Sequence, residues 1–221
     1  GNESLTITAA DGAVTLAQVG TTTALEFLDV TGGSASLSGN IDTDNNVGSG
    51  NVTITTTGNT VLTANVTIDT DAGASGTGGS IDLSGTSVLP TTASTEQLTL
   101  DAPGATLSLG NAGTEALEMG AVTFASGFGT LNLGGSIFTD NGFDATNATT
   151  VVLTADTVID TDNDDSAINF TGTPINATGA GNESLTLITG ATGTVALNVV
   201  GTTTALGGLD VTAGGLVTLG G

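Results

Sequence analysis

Residues 52–69 read VTITTTGNTVLTANVTID, and this stretch decides the fold. Val52-Thr53-Ile54 and Val66-Thr67-Ile68 alternate apolar and polar residues, the period of a half-buried strand. Gly, Asn and Thr bound each string, as they do where a chain turns. The same rhythm runs through the whole chain, in Leu5-Thr6-Ile7, Val14-Thr15-Leu16, Leu28-Asp29-Val30, Ile81-Asp82-Leu83, Leu98-Thr99-Leu100, Leu131-Asn132-Leu133 and Val195-Ala196-Leu197. No window places apolar residues at helical spacing over a helical length, so the pattern predicts an all-β chain.

These strings sit inside longer repeats. Gly1-Asn2-Glu3-Ser4-Leu5-Thr6 returns as Gly181 to Thr186, and Leu28-Asp29-Val30-Thr31 returns as Leu209 to Thr212. Val61-Leu62-Thr63-Ala64 and Ile68-Asp69-Thr70-Asp71 return 91 residues later, at Val152 to Ala155 and Ile159 to Asp162. The unit is a module of about ninety residues, with boundaries near 1–96, 97–183 and 184–221, the last beginning a third copy.

A sandwich needs longer strands and usually an aromatic core. Here the strands are short, and aromatics are 3% of 221 residues. The six Phe residues, Phe27, Phe124, Phe128, Phe138, Phe143 and Phe170, read as core or corner fillers. Asp11-Gly12 and Asn141-Gly142 leave hairpins open as an alternative. A parallel β-helix fits better: each coil stacks on the last, Leu, Val and Ile form inward ladders, and Thr, Ser and Asn face water. The spacing of like strings suggests coils of about twenty residues. Carboxylates in register on adjacent coils would lie about 4.8 Å apart, and outward Thr and Asn dilute that repulsion.

The charge balance excludes most chemistry. The chain has no Lys, Arg or His against 22 Asp and Glu, a formal charge of −22. It has no basic side chain to form a salt bridge, no guanidinium to hold phosphate and no imidazole to move a proton, so neither nucleic-acid binding nor an enzyme is expected. With no Cys there is no disulfide framework. No apolar stretch approaches the roughly 18 residues that span a bilayer, so no membrane insertion is expected in this segment. The chain opens on a repeat motif with no cationic leader before it, as in a piece cut from a longer repetitive protein.

The strings GNESLTITAADGAVTLAQVGTTTALEFLDVTGG, VLTANVTIDTDAGASGTGGSIDLSGT and INATGAGNESLTL resemble repeat regions of giant bacterial surface proteins. These are the filamentous-haemagglutinin-like adhesins and autotransporter passenger repeats. The resemblance implies a right-handed parallel β-helix, secretion to the bacterial cell surface, and adhesion, aggregation or a place in the biofilm matrix. The absence of basic residues departs from such adhesins and favours a structural, fibre-forming role whose partner is another copy of itself.

The aspartate clusters are the constellation with chemical potential. Asp42 and Asp44, Asp69 and Asp71, and Asp160, Asp162, Asp164 and Asp165 lie in Asp-x-Asp strings, the first and last followed by Asn. Calcium takes six to eight oxygen ligands, and such strings supply them at short range. They are the candidate calcium ligands, and a calcium-dependent ligand-binding module is the alternative function. The other reading is a set of solvated turns, where Asp and Asn are favoured, with divalent cations gathered diffusely by the −22 surface.

Overall fold

The computed structural model describes residues 3–44, 49–73 and 76–220. Over these the chain is an all-β parallel solenoid of about nine coils, with no helix among the described residues. Three faces make each coil. Face one carries β1 (Leu5–Thr8), β3 (Leu28–Gly32), β6 (Val52–Thr56), the first half of β9 (Ile81–Pro90), the start of β11 (Thr106–Ala112), β13 (Phe128–Leu133), β16 (Ala148–Leu153) and β19 (Ile175–Ala177). Face two carries β2 (Ala13–Leu16), β4 (Ser34–Leu37), β7 (Asn59–Leu62), the ends of β9 and β11, β14 (Ser136–Phe138), β17 (Thr157–Thr161), β20 (Ser184–Thr189) and β22 (Gly208–Thr212). Face three carries β5 (Ile41–Asp42), β8 (Val66–Asp69), β10 (Gln97–Asp101) and β12 (Ala121–Phe124), then β15 (Phe143–Asp144), β18 (Ile168–Asn169), β21 (Val195–Leu197) and β23 (Val217–Leu219).

Alternation within the strings becomes ladders across coils. On face two Val14, Ala35, Thr60, Val88, Ala112, Ile137, Ile159, Leu187 and Val211 lie in unbroken parallel register. On face one Leu5, Leu28, Val52, Ile81, Leu107, Leu131, Val151 and Ile175 do the same. The apolar spine needs no large side chains because each rung fills a narrow slot. Where the slot widens, Phe124, Phe128, Phe143 and Phe170 stack at centroid separations of 5.5–5.6 Å. Phe27 and Phe138 are only half-buried.

Three sequence expectations need correction. Coils are longer than twenty residues in most cases: successive face-one rungs are 20 residues apart from Leu131 to Val151 but 29 from Val52 to Ile81. The extra residues lie in corner loops, which the strand strings do not report. Thr is not only an outward residue. Thr60, Thr70, Thr86, Thr161 and Thr173 are buried, and their hydroxyls bond across or within corners. Asp11-Gly12 and Asn141-Gly142 make corners between faces rather than hairpins, because the strands they join lie on different faces.

Corners also satisfy the N–H groups that the ladders leave over. Asn40, Asn51, Asn65 and Asn111 each accept, through Oδ1, the N–H of Thr67, Ser80, Gln97 and Ser136 on the next coil, at 2.8–3.0 Å. Gly20, with φ 77°, lets one coil touch the next; a Cβ there would lie 1.9 Å from the Asp42 carbonyl oxygen.

The sequence repeat and the coil do not coincide. Val61-Leu62 lies on face two, but its repeat Val152-Leu153 lies on face one. Ile68-Asp69 moves from face three to face two as Ile159-Asp160. Ile81 moves from face one to face three as Ile168. Each module advances by eleven strand positions, three coils and two faces, so successive copies are turned by one face.

Candidate functional site

Outward carboxylates are diluted on face one. There Thr6, Asp29, Thr53, Asp82, Ser108 and Asn132 alternate charge with neutral groups in register. Face three breaks that rule. Asp42 pairs with Asp69, and Asp69 with Asp101, so three carboxylates stand on consecutive coils. Asp44 and Asp71 lie beside them across an antiparallel bridge. The ladder exists because Ile41, Ile68 and Leu100 must point inward, which aims the following aspartate outward each time.

Its electrostatics follow from that register. Burial, then the charge of Asp69, raises the Asp42 carboxyl above its ordinary range. Burial also raises Asp69, with Asp101, Asp71 and Asp44 adding, against the N–H of Asp71 donating to its Oδ1 at 2.8 Å. Asp71 in turn accepts the Gly76 N–H at 2.9 Å. A groove of about 240 Å³ lined by Gly20, Thr21, Thr22, Asp42, Asp44 and Ala72 opens at one end of this ladder.

The second cluster is the same part of the next module, turned onto face two. Asp160 lies on β17 and pairs with Phe138 rather than with another aspartate. Its carboxyl is raised by burial first, although the Asp162 N–H donates to Oδ1 at 3.1 Å and lowers it. Asp162 and Asp164 are exposed in the following turn, and Asp165, at φ 56°, accepts the Thr192 hydroxyl at 3.3 Å. The eight candidate aspartates thus fall in two places, as a ladder and as a turn. Among the described residues, no three carboxylates converge as a cage for a metal ion.

Sequence reading missed Glu118. It lies in the loop between β11 and β12, only 4% exposed, with its side chain against Asp140 and Asn163. Met119 bridges to the Thr139 strand end: its N–H donates to the Phe138 carbonyl and its carbonyl accepts the Asp140 N–H, both at 3.0 Å. That docks the loop over β14. Glu118 Oε2 and Asp140 Oδ1 are both buried without a donor. Burial first, then Asp140 and Asp160, pushes the Glu118 carboxyl up to about 7, against a hydrogen bond from Asn163. The available signal was the repeat of Ala24-Leu25-Glu26 as Ala116-Leu117-Glu118.

A third acidic feature is structural. Glu96 accepts the Thr91 hydroxyl at 2.5 Å and the Thr92 N–H at 3.1 Å. Glu183 accepts the Thr178 hydroxyl and the Gly179 N–H in the same way, one module later. Burial opposes the charge on Glu96, but these donors outweigh it and hold that carboxyl below its ordinary range. The Thr178 hydroxyl does the same for Glu183.

No helix among the described residues is long and apolar enough to cross a membrane. Comparison with protein-family models, with curated proteins and with solved structures found no match.

Proposed function

We propose that this chain is a structural or adhesive segment of an extracellular bacterial protein, a rod whose modules add along one axis and whose acidic sides gather cations. The observation that supports it most is the unbroken parallel register along face two, from Val14 to Val211, which gives every coil the same way of accepting the next. A chain with 22 carboxylates and no basic side chain, most of those carboxylates outside the core, stays hydrated and resists collapse onto its neighbours. The absence of Lys and Arg also leaves no trypsin site, which suits a protease-exposed habitat.

The test is electron microscopy of purified protein together with surface labelling of cells that make it. Rods or filaments about one coil wide, and label on intact cells, support the reading; compact particles confined to the cytoplasm overturn it.

Calcium-dependent ligand binding is the second reading, favoured by the Asp42, Asp69 and Asp101 ladder. Calorimetric titration separates the two. Stoichiometric micromolar binding supports a calcium module, whereas weak, salt-sensitive heat supports a plain rod with condensed cations.

A further inference from the structure

Among the described residues three glutamates are buried: Glu96, Glu118 and Glu183. Two of them are held as a buried carboxylate must be. Glu96 and Glu183 each present one oxygen to a threonine hydroxyl and the other to a backbone N–H, so the charge taken from water is met inside the fold. Glu118 is the deepest of the three, at 4% exposure, and it is placed differently. The Asn163 carboxamide lies against it, but Oε2 has no partner. The other side chain against it is a second acid, Asp140, whose Oδ1 is also buried and unpartnered.

The backbone holds the two acids face to face. The Glu118 carbonyl accepts the Ser94 N–H of the preceding coil at 2.8 Å, and the Met119 N–H donates to Phe138 of the following coil at 3.0 Å. The Gly120 N–H donates to the Glu96 carbonyl at 2.9 Å, and Thr114 and Leu117 close the loop with a reciprocal pair at 2.9 Å. Asp140 is fixed by its own N–H on the Met119 carbonyl, at 3.0 Å. Met119 and Thr139 pair across the two coils and are fully buried, which turns Glu118 and Asp140 to the same outer side. Asp160, one coil further, adds its charge to theirs. With no Lys, Arg or His in the chain, whatever neutralises this pair must come from solution. It is either a proton shared between the carboxyls or, with both ionised, a cation.

We propose that Glu118 and Asp140 hold one calcium ion between them, with Asn163 offering its carboxamide oxygen and water completing the shell. All these donors are hard oxygens, the set that calcium takes, and a divalent charge matches two carboxylates. Magnesium suits the place less well, because it keeps its water and a strict octahedron, whereas Glu118 is almost wholly out of water. No third carboxylate converges on the pair among the described residues. Affinity is therefore in the range of extracellular calcium modules, about 0.1–1 mM. The ion ties the β11–β12 loop to the end of β14 and so fastens one coil to the next. This site is separate from the Asp42, Asp69 and Asp101 ladder and does not rest on that ladder binding calcium.

The experiment titrates calcium into the full chain, first stripped with chelator and held in about 0.15 M salt to screen diffuse binding, and follows amide shifts by NMR. The amides of residues 115–120 and 139–141 are expected to shift together and to saturate with a Kd of about 0.1–1 mM. E118Q and D140N are expected to weaken that binding at least tenfold, whereas D29N, which removes one charge from face one, keeps it. Shifts that do not saturate, that weaken equally in D29N, or that magnesium reproduces at the same concentration overturn the proposal. A second measurement compares each protein with itself, so an altered variant does not confuse it. Calcium at about ten times Kd is expected to raise the folding constant of the parent about tenfold over the chelated protein in urea unfolding, and that of E118Q less than twofold. An equal gain in both also overturns the proposal. Saturable shifts at residues 42–44 and 69–71 report the ladder instead, so failure of this site and failure of the calcium-module reading are told apart.

Discussion

Replacing Glu118 with Gln isolates the acid pair under the β11–β12 loop. In the folded chain the Glu118 carboxyl titrates at about 7, against an ordinary value of 4.5. A carboxyl raised on folding contributes stability that is fully present below pH 4.5 and lost as pH rises to 7, because the folded state then holds a proton that the unfolded chain has released. The full linkage amounts to about 3 kcal/mol. Discounted for solvent screening in a surface loop, this leaves about 1–2 kcal/mol. E118Q removes the charge and keeps a donor for Asp140 Oδ1. It is expected to match the parent in urea unfolding at pH 4.5 and to exceed it by 1–2 kcal/mol at pH 8.5, which is a midpoint shift of roughly 0.5–1 M. Carboxylates far from Glu118 contribute equally in both proteins, so they cancel in the difference. A gain of the same size at both pH values, or a loss at pH 8.5, would refute the account, because neither follows from a buried acid facing a second acid.

Asp69→Asn takes the charge from the middle of the Asp42, Asp69, Asp101 ladder; melting at low ionic strength is expected to rise by a few degrees, and the gain should vanish in 0.5 M salt, where exposed charges are screened. Leu131→Ala empties a rung between Leu107 and Val151; a loss of about 2–5 kcal/mol in chemical unfolding is expected, and less than 1 kcal/mol would show that the coils close over the gap. Glu96→Ala leaves the Thr92 N–H without its acceptor and the Thr91 hydroxyl with only the Leu62 carbonyl, at 3.1 Å, at a cost of about 1–2 kcal/mol at neutral pH. Because that carboxyl is lowered on folding, the difference between variant and parent should shrink as pH falls below 4.5.

What was legible in the chain was whatever alternates. Val52-Thr53-Ile54 could be only a strand with one wet side, and its recurrence at coil spacing left parallel stacking as the simplest way to pair its backbone. What could not be read was how much chain each corner consumes. Pro90 to Gln97 and Asp69 to Ile81 are both corners, yet their lengths follow no period, so the coil length and the face of each string stayed hidden. The aspartates show the same limit. Asp42 and Asp69 were flagged for their Asp-x-Asp strings, but their juxtaposition comes from β5–β8 register. Glu118 carries no motif of its own; only the docking of Met119 on Thr139 buries it. Inward Thr was misread for a related reason. Thr60 occupies an apolar rung because Thr86 supplies a partner from the next coil, at 2.9 Å.

The mismatch between module and coil has a consequence that a whole-number repeat would lack. A module of eleven strand positions returns to its first face only after three copies, which is eleven coils or about 53 Å at the usual strand spacing. A module of twelve positions would return after four coils, about 19 Å. Both distances exceed the Debye length of about 8 Å in physiological salt, so relief of repulsion along the axis does not separate the two designs. Direction does. With twelve positions, every copy of the Asp42 to Asp71 string would face the same way and leave one side of the rod acidic and another bare. With eleven, the string is on face three in one module and on face two in the next, as Ile68-Asp69 and Ile159-Asp160 already are. Acidity is thereby spread around the axis.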